Sequence, residues 1–137
     1  MKIRRTIKIG NKVIGEKCPC FFIAEIGVNH NGELLLAKKL VDIAVAAGAD
    51  AVKFQKRDID NMLTKEAQAQ PYGGAHSFGG TYGAHRRHLE LSEKDFLELK
   101  KYCDDKKICF LASGWDRKSV DFINTLGVKA LKIASSD

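Results

Sequence analysis

The amino-acid sequence predicts an α/β fold in which parallel strands alternate with helices. Short apolar runs of strand length recur along the chain, and they are separated by segments whose apolar residues follow helical spacing. Polar residues come directly after the apolar runs. Strands and amphipathic helices in alternation are joined by right-handed crossovers, which leave the strands parallel. Period and composition do not separate an open doubly wound sheet from a barrel, and neither G-x-G-x-x-G after the first strand nor a P-loop is found.

The first element along the chain is a predicted β-hairpin within residues 1–17. Residues 3–8 alternate in a strand-like way, Gly10-Asn11 forms a turn, and residues 12–14 return. We interpret this hairpin as a flap that precedes the α/β unit of residues 18–137.

Four strands and three helices are predicted after the hairpin. The first strand ends in a polar loop and should be buried on both faces. Glycines at positions 48 and 127 end two of the helices, and Ser92 is the N-cap of another. The predicted strands are residues 20–24, 51–55, 108–112 and 128–133, and the predicted helices are residues 33–47, 93–106 and 117–126.

A glycine-rich segment, residues 71–83, interrupts the alternation between the second strand and the helix that follows Ser92. It contains too much glycine for the interior of a helix or strand. Long loops within compact domains tend to be functional or disordered, so we predict an excursion loop here.

Composition narrows the class of protein and of ligand. The chain has 137 residues, of which 45% are hydrophobic and 29% charged, as in one globular domain. Its 23 basic and 17 acidic residues give a net charge of +6, which suits anionic small molecules and nucleic acid alike. The basic residues are not concentrated on one aromatic-rich stretch, so no nucleic acid is expected as a partner. No apolar segment approaches the length of a membrane span, and four irregularly spaced cysteines indicate a reducing, cytoplasmic setting.

Polar side chains at the ends of the predicted strands are the candidate site. Lys53 and Lys132 interrupt otherwise apolar strands, and an unpaired buried ammonium group is costly. Either an anionic ligand or an internal ion pair would offset that cost, and Glu25 could supply the ion pair. The remaining alternative is that these lysines are exposed to solvent. Asn29 and His30 could belong to the site or could simply form a turn.

Four motifs add a resemblance to a known family. They are A-E-I-G-V-N-H-N-G at residues 24–32, G-A-D-A-V-K-F-Q at residues 48–55, the block of residues 76–90, and K-I-A-S-S-D at residues 132–137. In this order they resemble the sialic acid synthase family. The block of residues 76–90 is similar to the branch that contains the animal sialic acid phosphate synthases.

The resemblance implies a fold and a reaction. The fold would be a (β/α)₈ barrel of TIM type, of which this chain would hold about the first four strands. The reaction would condense phosphoenolpyruvate with N-acetylmannosamine, its 6-phosphate or a related N-acylated amino sugar, giving a sialic acid and phosphate. Glu25 would be the catalytic residue at the reacting centre. The substrate-binding residues would be Lys53, Gln55, Ser113, Lys132, Ser135, Asp137, Tyr82 and His76.

The resemblance also implies a cofactor and partners. A divalent metal, Mn²⁺ or Mg²⁺, would be bound by histidines of later strands, and we expect no metal ligands in this chain, including His30, His85 and His88. A homo-oligomer such as a dimer, or pairing with the remaining half of the barrel, would cover the open sheet edges. Ser136 and Asp137 depart from the glycine and glutamate usual in the family. The alternatives are a non-catalytic half-barrel binding module and another phosphoenolpyruvate-dependent synthase that acts on a pentose or tetrose phosphate.

Overall fold

The computed structural model describes residues 6–135 as a β-hairpin followed by a parallel sheet covered by helices. The predicted α/β class, the parallel strands and the leading hairpin are therefore confirmed. The strands are β1 (Thr6–Ile9), β2 (Lys12–Gly15), β3 (Ile23–Gly27), β4 (Ala51–Lys56) and β5 (Cys109–Gly114). The helices are α1 (Leu34–Ala46), α2 (Ile59–Met62), α3 (Lys65–Ala69), α4 (Tyr82–His88), α5 (Glu93–Asp105) and α6 (Arg117–Thr125).

The parallel sheet has the order β3-β4-β5, with β4 in the centre. Its register places Glu25 beside Lys53 and Gln55 beside Ser113. Because side chains alternate between the faces of a sheet, Lys53 and Gln55 project from one face while Phe54 projects from the other. The first face carries the candidate site, and the second carries the core.

The core lies between the second face of the sheet and the helices. Phe54 stacks on Phe110 with ring centroids 5.4 Å apart, and Phe96 of α5 meets Phe54 edge-on at 6.4 Å. Val41 of α1 and Ile123 of α6 are fully buried in the same cluster. This packing holds β4 and β5 in place from the face that carries Phe54, and so it also fixes the backbone that carries the polar side chains of the other face.

The predicted first strand was placed too early, and its predicted burial was wrong. We expected residues 20–24 to be buried on both faces, whereas β3 begins at Ile23, and Phe22 and Ile23 are 64% and 45% exposed. Phe22 instead leads into the sheet, since its amide donates to the Asp50 carboxylate and its carbonyl accepts from the amides of Asp50 and Ala51. The face of the sheet that carries Glu25 is open around β3, so Ile23, which lies on that face, is not covered.

The predicted fourth strand, residues 128–133, is reduced to a single parallel bridge between Ala112 and Leu131. The Lys132 amide donates to the Ala112 carbonyl at 3.3 Å, and Leu131 and Ile133 are 42% and 65% exposed. Within residues 6–135 this segment has a strand on one side only, and pairing on a single side leaves it partly formed.

The hairpin lies at the amino ends of the parallel strands. Lys12 at the start of β2 forms an ion pair of 3.0 Å with Asp50, which directly precedes β4. The hairpin is therefore at the amino ends of the strands. A flap over the polar strand ends would instead lie at their carboxyl ends. The division at residue 17 stays a prediction.

The excursion between β4 and α5 contains three short helices and the expected loop. The glycine-rich segment ends earlier than predicted because α4 begins at Tyr82, capped by the Thr81 side chain, which accepts from the Ala84 amide. At the end of the excursion, Ser92 forms a capping box with Asp95 and starts α5 at the predicted position.

We expect Gly114→Ala to destabilise the fold strongly. A Cβ at this last residue of β5 would lie 2.6 Å from Val120 Cγ2 and 2.8 Å from the Val120 amide nitrogen, so α6 would have to move. Overpacking of this kind costs about 1–3 kcal/mol in the free energy of unfolding, which urea denaturation would measure.

Gly73→Ala is the matched control for this substitution. Nothing lies within 4 Å of a Cβ at Gly73, so its effect should stay within about 0.5 kcal/mol. Equal destabilisation by the two substitutions would contradict the close contact between Gly114 and α6.

Candidate functional site

An ion pair between Glu25 and Lys53 forms the centre of the candidate site. The two residues are neighbours in register on β3 and β4, and the Lys53 ammonium group contacts a Glu25 carboxylate oxygen. The Lys53 side chain is only 12% exposed, whereas that of Glu25 is 51% exposed. The internal ion pair considered for Lys53 is therefore present, and its carboxylate remains accessible from the open face.

Gly27 shapes the space beside this ion pair. It lies at a bulge in the β3–β4 register and has a φ of +57°, a conformation that favours glycine. A Cβ here would lie 3.3 Å from both Gln55 Nε2 and Glu25 Oε1. The Gln55 amide and the Glu25 carboxylate thus border the same small space. Gly27 was not predicted to be a site residue, although it belongs to the motif of residues 24–32.

A cavity of about 270 Å³ opens above the ion pair, and we call it the sheet cavity. Its charged lining residues are Glu25, Lys53 and Lys132. Two ammonium groups and one carboxylate give this lining a net positive charge, so a small anion is the ligand class that it suits. The remaining lining residues are Ile9, Ile23, Leu111, Ala130 and Leu131.

Gln55 and Ser113 lie on the same face of the sheet, two residues further toward the carboxyl ends. They are register partners, and Ser113 is buried with 3% exposure. Their amide and hydroxyl groups are hydrogen-bonding groups next to the ion pair. The structure therefore brings together five of the predicted site residues: Glu25, Lys53, Gln55, Ser113 and Lys132.

The predicted site residues Lys132 and Ser135, near the end of the chain, are more exposed than those on β4 and β5. Lys132 is exposed, and its ammonium group contacts the Ile133 carbonyl, so solvent exposure, the alternative left open for the two lysines, holds at this position. The reason is the incomplete pairing of residues 128–133. Ser135 is exposed in a turn, and Asp137 lies outside the described residues.

Tyr82 and His76 are absent from the lining of the sheet cavity. His76 lines a second cavity of about 390 Å³, the loop cavity, between residues 28–31 and the loop that precedes α4. The Tyr82 hydroxyl accepts hydrogen bonds from Arg86 Nε at 2.8 Å and Nη2 at 2.5 Å. These two residues therefore belong to the excursion beyond the strand ends, and the ion-paired face is a separate surface.

A buried pair that the sequence analysis missed fixes the carboxyl end of β4. Arg57 Nε donates to Glu90 Oε1 at 2.6 Å, and the Arg57 amide donates to Glu90 Oε2 at 3.0 Å. Both side chains are at least nine-tenths buried, and Arg57 Nη2 has no hydrogen-bond partner in the described part of the chain. Glu90 closes the quoted block of residues 76–90, which was the available signal. The pair ties the strand that carries Lys53 to the segment before α5.

His30 is a neutral buried side chain. Its Nδ1 accepts from the Gly32 amide at 3.1 Å, and its Nε2 lacks a hydrogen-bond partner within residues 6–135. Burial lowers the pKa of His30 to about 4; the Gly27 backbone opposes this, and the positive charge of Arg57 adds to it. The surrounding residues do form turns, since the Asn29 amide donates to the Ile26 carbonyl at 3.0 Å.

The divalent metal implied by the resemblance is expected to bind through residues of later strands, and that expectation stays a prediction. Residues 6–135 contain no group of three or more His, Cys, Asp or Glu side chains arranged to bind a metal ion. The residues present do not fit such a cofactor, and we derive no step through it. Among the same residues, no helix is both long and apolar enough to span a membrane.

The sequence of this chain is similar to that of several known synthases. The family model described as the NeuB family matches residues 40–137. Human N-acetylneuraminate-9-phosphate synthase is 44% identical over 124 residues, covering 90% of this chain and 34% of the human protein. N,N'-diacetyllegionaminic acid synthase from Legionella pneumophila is 43% identical over 129 residues, covering 93% of this chain and 36% of that protein.

A solved structure shares the fold. The N-acetylneuraminic acid synthetase from Leptospira borgpetersenii, determined in complex with citrate, superposes with a TM-score of 0.79 at 33% identity. The superposition covers 98% of this chain and 42% of that one. The chain spans about a third of the length of the curated relatives that it matches.

The buried neutral His30 predicts a loss of stability in mild acid. His30 binds a proton in the unfolded chain below about pH 6.5 but in the folded chain only near pH 4, so its contribution is complete above 6.5 and is lost as the pH falls toward 4. The free energy of unfolding should fall by roughly 3 kcal/mol across this range, measured by urea denaturation at several pH values.

His30→Gln should reduce this pH dependence, whatever its effect on stability at pH 7. His76→Gln, which changes an exposed histidine, is the control and should leave the wild-type profile unchanged. An unaltered profile for His30→Gln would show that another group causes the acid sensitivity.

Proposed function

Because the chain belongs to the NeuB family, a family of sugar-acid synthases, we propose that it forms the phosphoenolpyruvate-binding part of such a synthase. The reaction would join phosphoenolpyruvate to N-acetylmannosamine, its 6-phosphate or a related N-acylated amino sugar, and would release phosphate. The observation that carries this proposal is the sheet cavity, in which Lys53 and Lys132 line the same space as Glu25.

The charges of this cavity suit phosphoenolpyruvate, which carries a phosphate and a carboxylate. Lys53 is nearly buried, so an anion beside it would interact with an ammonium group that water screens poorly. Ser113 and Gln55 would donate hydrogen bonds to the phosphate end, and exposed Lys132 would move to the carboxylate. In this assignment the ion pair with Glu25 preorganises the Lys53 ammonium group before the ligand arrives.

Glu25 is suited to a role at the reacting carbon. In the proposed reaction, C3 of phosphoenolpyruvate bonds to the aldehyde carbon of the open-chain sugar, and the aldehyde oxygen takes up a proton. Water then adds at C2, and the C2–O bond to phosphate breaks. The Glu25 carboxyl group, half exposed on the open face, would orient the sugar or transfer the proton. The space over Gly27 brings the Gln55 amide to the same region.

The remaining parts of the proposal concern what completes the site. The exposed upper face around Ile23 and Leu131 would be covered by the rest of a (β/α)₈ barrel, and the complete protein would be a cytoplasmic homodimer. A divalent metal, Mn²⁺ or Mg²⁺, would be bound by residues of that remaining part. His76 and Tyr82 would face the sugar from the excursion, with Ser135 and Asp137 on the phosphoenolpyruvate side. We propose no nucleic-acid partner.

Phosphate release from phosphoenolpyruvate tests this proposal. We would assay the 137-residue chain and a version extended to family length, with manganese and either N-acetylmannosamine or its 6-phosphate. We expect sugar-dependent release by the extended form. Release by neither form would contradict the substrate assignment. Release by the 137-residue chain without the extension would show that two half barrels assemble into a working site.

Substitutions in the extended form test the named residues. Lys53→Met should lower kcat/KM by about 100-fold or more, because a preorganised charge on the phosphate is lost. Lys39→Met changes an exposed lysine of α1 and should leave turnover unchanged. If the unsubstituted extended form bound phosphoenolpyruvate but showed no turnover, the alternative of a non-catalytic binding module would be favoured.

A further inference from the structure

The glycine-rich loop, residues 71–81, is closed on itself. Pro71 and Thr81 form an antiparallel bridge, and the Tyr72 amide donates to the Gly80 carbonyl at 3.1 Å. The Ser77 hydroxyl lies 3.0 Å from the Tyr72 carbonyl and 2.8 Å from that of Gly79. These contacts give the loop a defined shape, but they do not attach it to the rest of the fold.

His85 of α4 attaches the loop to the fold. Its Nδ1 accepts a hydrogen bond from the Phe78 amide at 3.2 Å. Its ring lies between Tyr72, at a centroid distance of 4.5 Å, and Phe78, at 5.9 Å. Phe78 also stacks on His88 at 4.1 Å. His85 is only 8% exposed, so one buried imidazole contacts two residues of the loop, Tyr72 and Phe78.

The attached loop forms one wall of the loop cavity. His76, Ser77 and Phe78 line this cavity from the loop side, and Asn29 and Asn31 line it from the segment that follows β3. Glu25 lies on β3, and the Asn29–Asn31 segment follows that strand, so the loop cavity lies beyond the carboxyl end of β3. A change in the position of the loop therefore changes the width of this cavity.

We propose that His85 is a positioning residue whose neutral imidazole keeps the glycine-rich loop closed against α4 and thereby sets the affinity of the loop cavity for the amino sugar. The identity of the ligand rests on the proposed function. The attachment of the loop by His85 does not, because it follows from the hydrogen bond and ring contacts alone.

The protonation state of His85 controls this attachment. Nδ1 can accept from the Phe78 amide only without its own proton, and in the imidazolium form both ring nitrogens are donors. Burial lowers the pKa of His85, and Arg86, Arg57 and His88 lower it further. The other titratable groups nearby are the Tyr72 phenol, which belongs to the stacked ring, and His76 in the loop itself. The loop is therefore closed at pH 7, and it opens as the pH falls below the ordinary histidine range.

Amide hydrogen exchange of the 137-residue chain tests this proposal without any substrate. At pH 7, His85→Phe retains an aromatic ring but loses the acceptor, so exchange of the Phe78 amide should increase by about tenfold, as expected for one lost hydrogen bond. His85→Asn provides an uncharged amide oxygen near the position of Nδ1 and should retain most of the protection. Wild-type protection of Phe78 in His85→Phe would overturn the proposal.

A pH series separates this role from a purely structural one. With exchange rates normalised to the intrinsic rate at each pH, wild-type protection of the loop should fall below about pH 6.5. Protection in His85→Asn should not change, and α5 amides should remain protected in both proteins. An identical pH dependence in His85→Asn would overturn the proposal. If His85→Phe also loses α5 protection, it has unfolded, and the His85→Asn series decides.

Kinetics of the extended form connect the loop to the sugar. His85→Phe should raise KM for the amino sugar by about tenfold and change kcat far less, because an open loop weakens sugar binding without touching the reacting atoms. If sugar-dependent turnover is found but KM and exchange are both unchanged, the role of His85 is refuted. If exchange responds as expected but the extended form shows no turnover, the proposed function alone fails.

Discussion

The Lys53 ammonium group, nearly buried on an open sheet face, is the constraint on which the site depends. A charge in this position is tolerated only with a partner, and the β3–β4 register supplies Glu25 directly opposite. The register in turn depends on the core beneath, where Phe54 packs against Phe96 and Phe110. A strand that slipped by one residue would exchange Lys53 with Phe54 between the faces, so core packing and site electrostatics select the same alignment.

Hydrophobic pattern predicted the parts of the fold whose surroundings are complete. The central strand β4 and the capped helix α5 were placed nearly to the residue, since both pack against neighbours within the chain. The pattern failed for residues 20–24 and 128–133, which are as apolar as the other strands. An apolar run reports that a segment would be buried in a complete sheet, but it does not report whether the neighbouring strand or covering layer is present.

The candidate site was predictable to the extent that strand ends converge. Glu25, Lys53, Gln55 and Ser113 come together because parallel strands bring their carboxyl-side residues to one face. Contacts made by the excursion were not predictable. Glu90 meets Arg57 across 33 residues, and no period in the sequence connects them. The pairing of Phe78 with His85 is local, but it depends on a loop closure that glycine content indicates only in general terms.

The sheet cavity and the loop cavity differ in the polar groups that line them. In the sheet cavity, ammonium and carboxylate groups interrupt a mostly apolar lining, whereas the polar groups of the loop cavity are amides, a hydroxyl and imidazoles. Burial lowers the pKa of His85 in the loop cavity. Strand β4 connects the two, because Lys53 lies within it and Arg57, which follows it, is held by the Glu90 segment just beyond α4. The buried Arg57–Glu90 pair thus joins the carboxyl end of the strand that carries Lys53 to the segment that follows the helix carrying His85. The charged site and the loop cavity therefore depend on the same strand, with ammonium and carboxylate groups on its open face and neutral polar groups beyond its carboxyl end.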